Sequence, residues 1–334
     1  MESTLRILNH TRGEAAGDSA DSPVLDIVVT RHDVFDEATL RDTGVLDLYE
    51  ALFPATERDN SDDIVRWVLS DDVGERRDFE VDGRPMSYRL DSRCMILRAA
   101  GRAIGFGFFT YDHASDLIFC NHVGVHKAWR GGGLARAFYR EMIDMLDELF
   151  PRNIGVMLEV EPFDHGRLEE IITDLERSGR RSLEAHEQAE IRKFLRVSWY
   201  HKLGHSFFCD ACMMKPLLCR SPCLDPSLPS SAWAGAEEDY WLMWHARTGA
   251  LPPAMNAGDL WQTTVATIYV EILAKSLVDE DPGSRRDYWE YATALVARTL
   301  QRTAATETNL ASYLAPGDSP LLSRWRRLAI DLPI

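Results

Sequence analysis

The stretch from Val123 to Phe150 leaves few folds open. Val123-Gly124-Val125 is short and apolar, Gly131-Gly132-Gly133 follow, and no proline or glycine interrupts the chain between Leu134 and Phe150. In that last run Ala137, Phe138, Met142, Met145, Leu146 and Leu149 fall mainly on one stripe at helical spacing. The order is strand, turn, helix. Consecutive glycines bring backbone N–H groups close to a ligand without Cβ obstruction. The helix after them adds its unsatisfied amides and about half a positive charge at its N-terminus. That is an anion cradle. It matches neither G-x-G-x-x-G nor G-x-x-x-x-G-K-[ST], because Arg136 and Ala137 follow the glycines instead of Lys and Ser/Thr. The nucleotide-binding families behind those motifs are disfavoured.

Charge and cysteine usage narrow the classes further. With 37 basic against 53 acidic residues the chain carries a formal charge of −16, which argues against a nucleic-acid surface and is compatible with a cationic, amine-bearing partner. No run of about eighteen apolar residues occurs, and the first residues are polar and mixed in charge, so no membrane span or secretory leader is expected and the default location is cytoplasmic. Cys209, Cys212, Cys219 and Cys223 have a spacing that could ligate zinc. Phe207 to Met214, however, reads as a strand in which Cys209 and Cys212 point to opposite faces, so small buried thiols are the expectation.

In chain order, residues 1–23 lack apolar periodicity and read as a disordered lead-in. Val24 to Thr30 reads as a first strand, Asp36 as the N-cap of a helix through Phe53 interrupted at Gly44, and Ser61 to Leu69 as a second helix. Three strands at Ser92–Arg98, Ala103–Tyr111 and Leu117–Val125 form a meander into the glycine turn. A strand at Ile154–Val160 follows the central helix, and a charged insertion, 162–188, holds an added helix from Gly166 to Arg177. Residues 218–235 read as a linker and 236–334 as a helical extension, including helices at Ala236–Arg247 and Thr306–Leu314. Trp241, Trp244, Trp261, Trp289 and Trp325 suggest a core within that extension. It is the region through which a homodimer could form.

The glycine turn resembles the acyl-CoA signature of the GNAT superfamily of N-acetyltransferases, Arg/Gln-x-x-Gly-x-Gly/Ala after a valine-bearing strand. Arg130, Gly133 and Ala135 occupy the motif positions, with Leu134 between the last two and Val123 and Val125 on the strand. A second element, Trp199-Tyr200-His201-Lys202-Leu203-Gly204-His205, resembles the family's helix-ending Tyr-x-x-Leu-Gly segment, with histidine where an aromatic is usual. The resemblance covers residues 24–217 and implies an α/β (α+β) fold: a mixed, mostly antiparallel sheet flanked by helices, here with the C-terminal extension added. It implies acetyl-CoA or another short acyl-CoA as co-substrate. Val123, Val125, Arg130, Gly131, Gly132, Gly133, Leu134 and Ala135 would then bind the cofactor. Tyr200 matches the family's proton donor to the leaving thiolate.

The general base is not fixed by resemblance. Glu159 and Glu161 alternate with Leu158 and Val160 and so share one strand face, and His122 stands beside Val123. Each is a candidate. The implied activity is acyl transfer to the primary amine of a small molecule, with a protein or peptide amine as the alternative acceptor. A GNAT-like sensor, scaffold or decarboxylase that binds acyl-CoA without transferring it is the reading from a different class.

Overall fold

The computed structural model describes residues 5–8, 24–30, 35–53, 58–69, 77–81, 84–130, 132–223, 228–247, 255–271, 282–311, 320–330 and 332. The chain divides into two compact units. The first takes in the chain up to Asp78 and again Ser87–Val156; the second takes in Phe79–Met86 and Met157–Ile334.

In the first unit, β1 (Leu5–Leu8), β2 (Leu25–Val29), β5 (Leu90–Ala99), β6 (Arg102–Asp112) and β7 (Leu117–Val125) follow one another across an antiparallel sheet. β3 (Arg77–Val81) and β4 (Arg84–Tyr88), most of whose residues belong to the second unit, make a separate pair. The lead-in is therefore corrected in part: Leu5-Arg6-Ile7-Leu8 extends the sheet, with Leu5 opposite Val28, while residues 9–23 lie outside the described residues. Four residues of mixed apolar character suffice for an edge strand when a β-branched partner is already in place.

Alternation along β6 assigns its two faces. Phe106 and Phe108 pack on α1 (Glu37–Asp42), α2 (Val45–Leu52) and α3 (Ser61–Val68), where Tyr49 meets both rings edge-on at 5.7 and 5.3 Å. Each such ring, buried, contributes roughly 1.5–3 kcal/mol. Gly44, at φ +75°, makes the expected break between α1 and α2. On the opposite face Gly107 leaves room for α4 (Leu134–Leu149): a Cβ there would stand 2.6 Å from the Met142 sulfur. Phe138, Met142, Met145 and Leu146 are fully buried, the apolar stripe of the sequence.

The second unit carries most of β8 (Gly155–Val160), then α5 (His165–Ser178), α6 (Ala185–Lys202), β9 (Ser206–Asp210), β10 (Leu218–Ser221), α7 (Ser230–Trp233), β11 (Glu238–Ala246), α8 (Ala257–Ala266) with a π-helical turn Thr267–Glu271, α9 (Pro282–Thr303), β12 (Thr308–Ala311) and α10 (Pro320–Leu328). Its strand order is β8–β11–β9–β12, with β10 on β11. Several expectations are corrected here. Glu238–Ala246 is a strand and not a helix, because Trp241-Leu242-Met243-Trp244 is buried on both faces and so lacks either period. Thr308–Ala311 is a strand on β9, and the 218–235 linker contains β10. The strand expected from Phe207 to Met214 stops at Asp210, whose carboxylate accepts the amides of Cys212 and Met213 in a turn. β9 pairs with β11 and β12, and the two compact units meet at Val156/Met157.

The insertion is ordered by its own polar contacts. Asp164 caps α5, Gly179 ends it at φ +67°, and Arg180 donates to both carboxylate oxygens of Glu187 at 2.8 and 2.7 Å. That guanidinium holds the largely buried Glu187 at about 2, well below the ordinary glutamate range.

Candidate acyl-transfer site

The first unit places the turn at the end of β7. His126 donates its amide to Ile104 O at 2.8 Å, a 3₁₀ turn spans Lys127–Trp129, and Arg130 Nε donates to Val125 O at 2.9 Å. Arg130 thus fastens the loop to the strand that feeds it, a role beyond the one its motif position implies. Gly132 and Gly133 take left-handed φ values of +57° and +84°. Gly133 is the N-cap of α4 and has no side chain to accept the first-turn amides of Leu134 and Ala135; no acidic residue stands in that turn either. A Cβ on Gly133 would meet nothing within 4 Å, so the approach is open. Gly131 lies outside the described residues. Val125 is buried and Val123 half-buried on β7.

β7 also carries His122. Phe108 faces His122 and Phe109 faces Cys120, so Asn121 is an extra residue, a bulge that re-aims the C-terminal half of the strand. His122 Nε2 lies 3.2 Å from Tyr49 Oη and 3.3 Å from Asp59 Oδ2. Tyr49 Oη accepts from the Asp59 amide at 2.8 Å, and burial raises the phenol, which keeps its proton. A neutral Nε2 can accept from Tyr49; a protonated one can donate to Asp59. The cluster borders a recess of ≈20 Å³, room for one water-sized group, shared with Ser92, Thr110 and Asn121. Thr110 bonds Asn121 at 3.0 Å and lies 3.2 Å from Ser92 Oγ. Tyr49 and Asp59 escape sequence reasoning because they stand 73 and 63 residues from His122 with no motif to join them.

In the second unit Tyr200 sits in the last turn of α6. Its carbonyl accepts the amides of Leu203 and His205 at 3.0 and 3.2 Å, and Gly204 at φ +94° occupies the left-handed position the sequence predicts. The half-buried Tyr200 ring packs edge-on to Trp199 at 4.9 Å and His205 at 5.5 Å. Burial, and then the nearby His245, push His205 well below the ordinary histidine range.

Glu159, on β8, and Glu161, just past its end, have different partners. Glu161 is engaged by Arg196 at 3.0 Å and Lys193 at 3.6 Å. Glu159 accepts from the buried Tyr269 hydroxyl of the π-helical turn. Burial raises Glu159 to about 7, against the lowering effect of that bond. Of the four clustered cysteines, Cys209, Cys219 and Cys223 are buried and Cys212 is exposed. Among the described residues no group of three or more His, Cys, Asp or Glu is arranged to hold a metal, and no helix is long and apolar enough to cross a membrane.

Solved structures titled as acetyltransferases and acyltransferases are among those the chain matches. A Bacteroides thetaiotaomicron protein assigned to the GNAT family is 16% identical over 70% of this chain and 94% of its own, with a TM-score of 0.38. An acyl-CoA N-acyltransferase from Pseudomonas aeruginosa gives 13%, 66%, 99% and 0.32, and Arabidopsis thaliana NAA60 in complex with acetyl-CoA gives 16%, 66%, 99% and 0.31. No protein-family model and no curated protein matches the sequence.

Proposed function

We propose that this chain is a GNAT-type N-acyltransferase that moves an acetyl or other short acyl group from acyl-CoA to a primary amine of a small molecule. The observation that carries the reading is the glycine turn: Gly132 and Gly133 left-handed, a capless sixteen-residue helix behind them, and Arg130 tying the turn to β7. Such a turn suits a pyrophosphate held by backbone amides, each charge-assisted bond contributing roughly 1.5–3 kcal/mol. Leu134 and Ala135 would supply two of those amides, and Val123 and Val125 backbone partners for the pantetheine arm.

Transfer needs a neutral amine as nucleophile and a proton for the departing thiolate. His122 is suited to take the amine proton, because Asp59 can accept from the resulting imidazolium. The water-sized recess beside it favours a primary amine over a bulkier acceptor group. Tyr200 is the matching proton donor. The cofactor claim is tested by thermal shift. Acetyl-CoA should stabilise the protein in a concentration-dependent way, and Gly133→Val, strained at φ +84° and blocking the open approach, should remove that stabilisation. Absence of stabilisation of the parent by every acyl-CoA tried would contradict the reading. For the base, His122→Gln should lower kcat by about 10²-fold or more. Parent-like kcat would remove His122 from the mechanism.

A further inference from the structure

The second unit contains a cleft that the acyl-transfer reading does not use. It is a cavity of ≈410 Å³ lined by Arg220, Glu237, Leu295, Arg298, Gln301 and Arg302. Among the described residues that line it, three bear guanidinium groups and one a carboxylate, the reverse of the chain's overall balance of 37 basic to 53 acidic residues; Asp239 stands behind Arg220 as a second carboxylate.

The three arginines are not equivalent. Arg220, on β10, is anchored: it donates to both oxygens of Asp239 at 2.8 and 2.9 Å and lies 3.8 Å from Glu237. Glu237 in turn accepts from Tyr291 Oη at 3.1 Å. Arg298 and Arg302 are exposed and one helical turn apart on α9. Among the described residues neither has a carboxylate within ion-pair distance; Arg302 makes only long contacts, to Arg298 O at 3.4 Å and Thr299 Oγ1 at 3.5 Å. Like charges at i and i+4 oppose the helix that holds them. An anion between them and the anchored Arg220 relieves that repulsion, and guanidinium forks match the oxygens of a phosphate. The cavity is larger than a phosphate alone fills, and the buried Leu295 gives it one apolar wall.

We infer that Arg220, Arg298 and Arg302 form a binding site for a phosphomonoester, a small organic molecule carrying one terminal phosphate. The phosphate lies between Arg298 and Arg302, Arg220 and Gln301 contact its oxygens or the adjoining hydroxyls, and Leu295 faces the organic body. The inference stands independently of acyl transfer.

The test is calorimetric titration of the full chain with glycerol 3-phosphate, ribose 5-phosphate and inorganic phosphate, at low and high salt. At least one phosphomonoester should bind saturably, more weakly at high salt, and Arg298→Gln/Arg302→Gln should lose about tenfold or more in affinity. Gly133→Val should retain that binding, which separates this cleft from the glycine turn. Gln301→Glu, which adds a carboxylate to the cleft without touching the arginines, should weaken binding to a similar degree and serves if the double variant folds poorly. Parent-like affinity in these arginine and glutamine variants, loss of binding in Gly133→Val alone, inorganic phosphate bound as tightly as every monoester, or no saturable binding at millimolar concentration would each overturn the assignment.

Discussion

Tyr200→Phe is expected to lower kcat by roughly 10²- to 10⁴-fold while leaving acetyl-CoA affinity within about twofold. The leaving group is a thiolate whose acid has a pKa near ~8.5, and a phenol near ~10 is an adequate donor to it at hydrogen-bond distance. The Tyr200 backbone carbonyl closes the end of α6, and its ring packs on Trp199 and His205; phenylalanine keeps both. Thermal stability measured alongside turnover separates a loss of chemistry from a loss of fold. A variant with parent-like turnover at every pH would reduce Tyr200 to a packing residue at a helix end.

Glu159→Gln is expected to change how stability depends on pH. Burial raises the Glu159 carboxyl from an ordinary value near 4.5 to about 7, partly opposed by the Tyr269 bond and reinforced by Glu238. Between those two values the folded protein holds a proton that the unfolded chain has released, so the folded state binds more protons and stability falls as pH rises. The favourable contribution is complete below about 4.5 and gone above about 7, a loss of order 3 kcal/mol across the window. Glutamine is neutral at both ends and its amide oxygen can still accept from Tyr269. The variant should match the parent near pH 5 and exceed it near pH 7.5 in urea denaturation. Parallel pH profiles for the two proteins would mean that Glu159 ionises freely in the folded state.

The features legible in the sequence are those whose cause is local. The glycine turn, the Gly44 break, the stripe of α4 and the left-handed Gly204 each depend on residues within a few positions of one another, and each lies where the spacing puts it. β11 reads as a helix in the sequence because a strand buried on both faces has no alternation, and its tryptophans fit a helix face equally well. The polar partners are hidden for a different reason. Tyr49 and Asp59 meet His122, and Tyr269 meets Glu159 across 110 residues, only because the strands and helices bring them together. The alternation of Glu159 and Glu161 with apolar neighbours is legible, but not that Arg196 and Lys193 pair with one while burial raises the other.

The central claim, that this chain transfers an acyl group from acyl-CoA to an amine, is tested most directly by following both products at once. The protein is incubated with acetyl-CoA or a longer acyl-CoA and a panel of primary amines and peptides, with free CoA thiol measured alongside the mass of every acceptor. The expected result is an acceptor that gains one acyl group in step with the thiol released, most readily a small primary amine, with both signals lost in Tyr200→Phe. Thiol release that matches no acylated product, or none above background with any donor and acceptor, would contradict it.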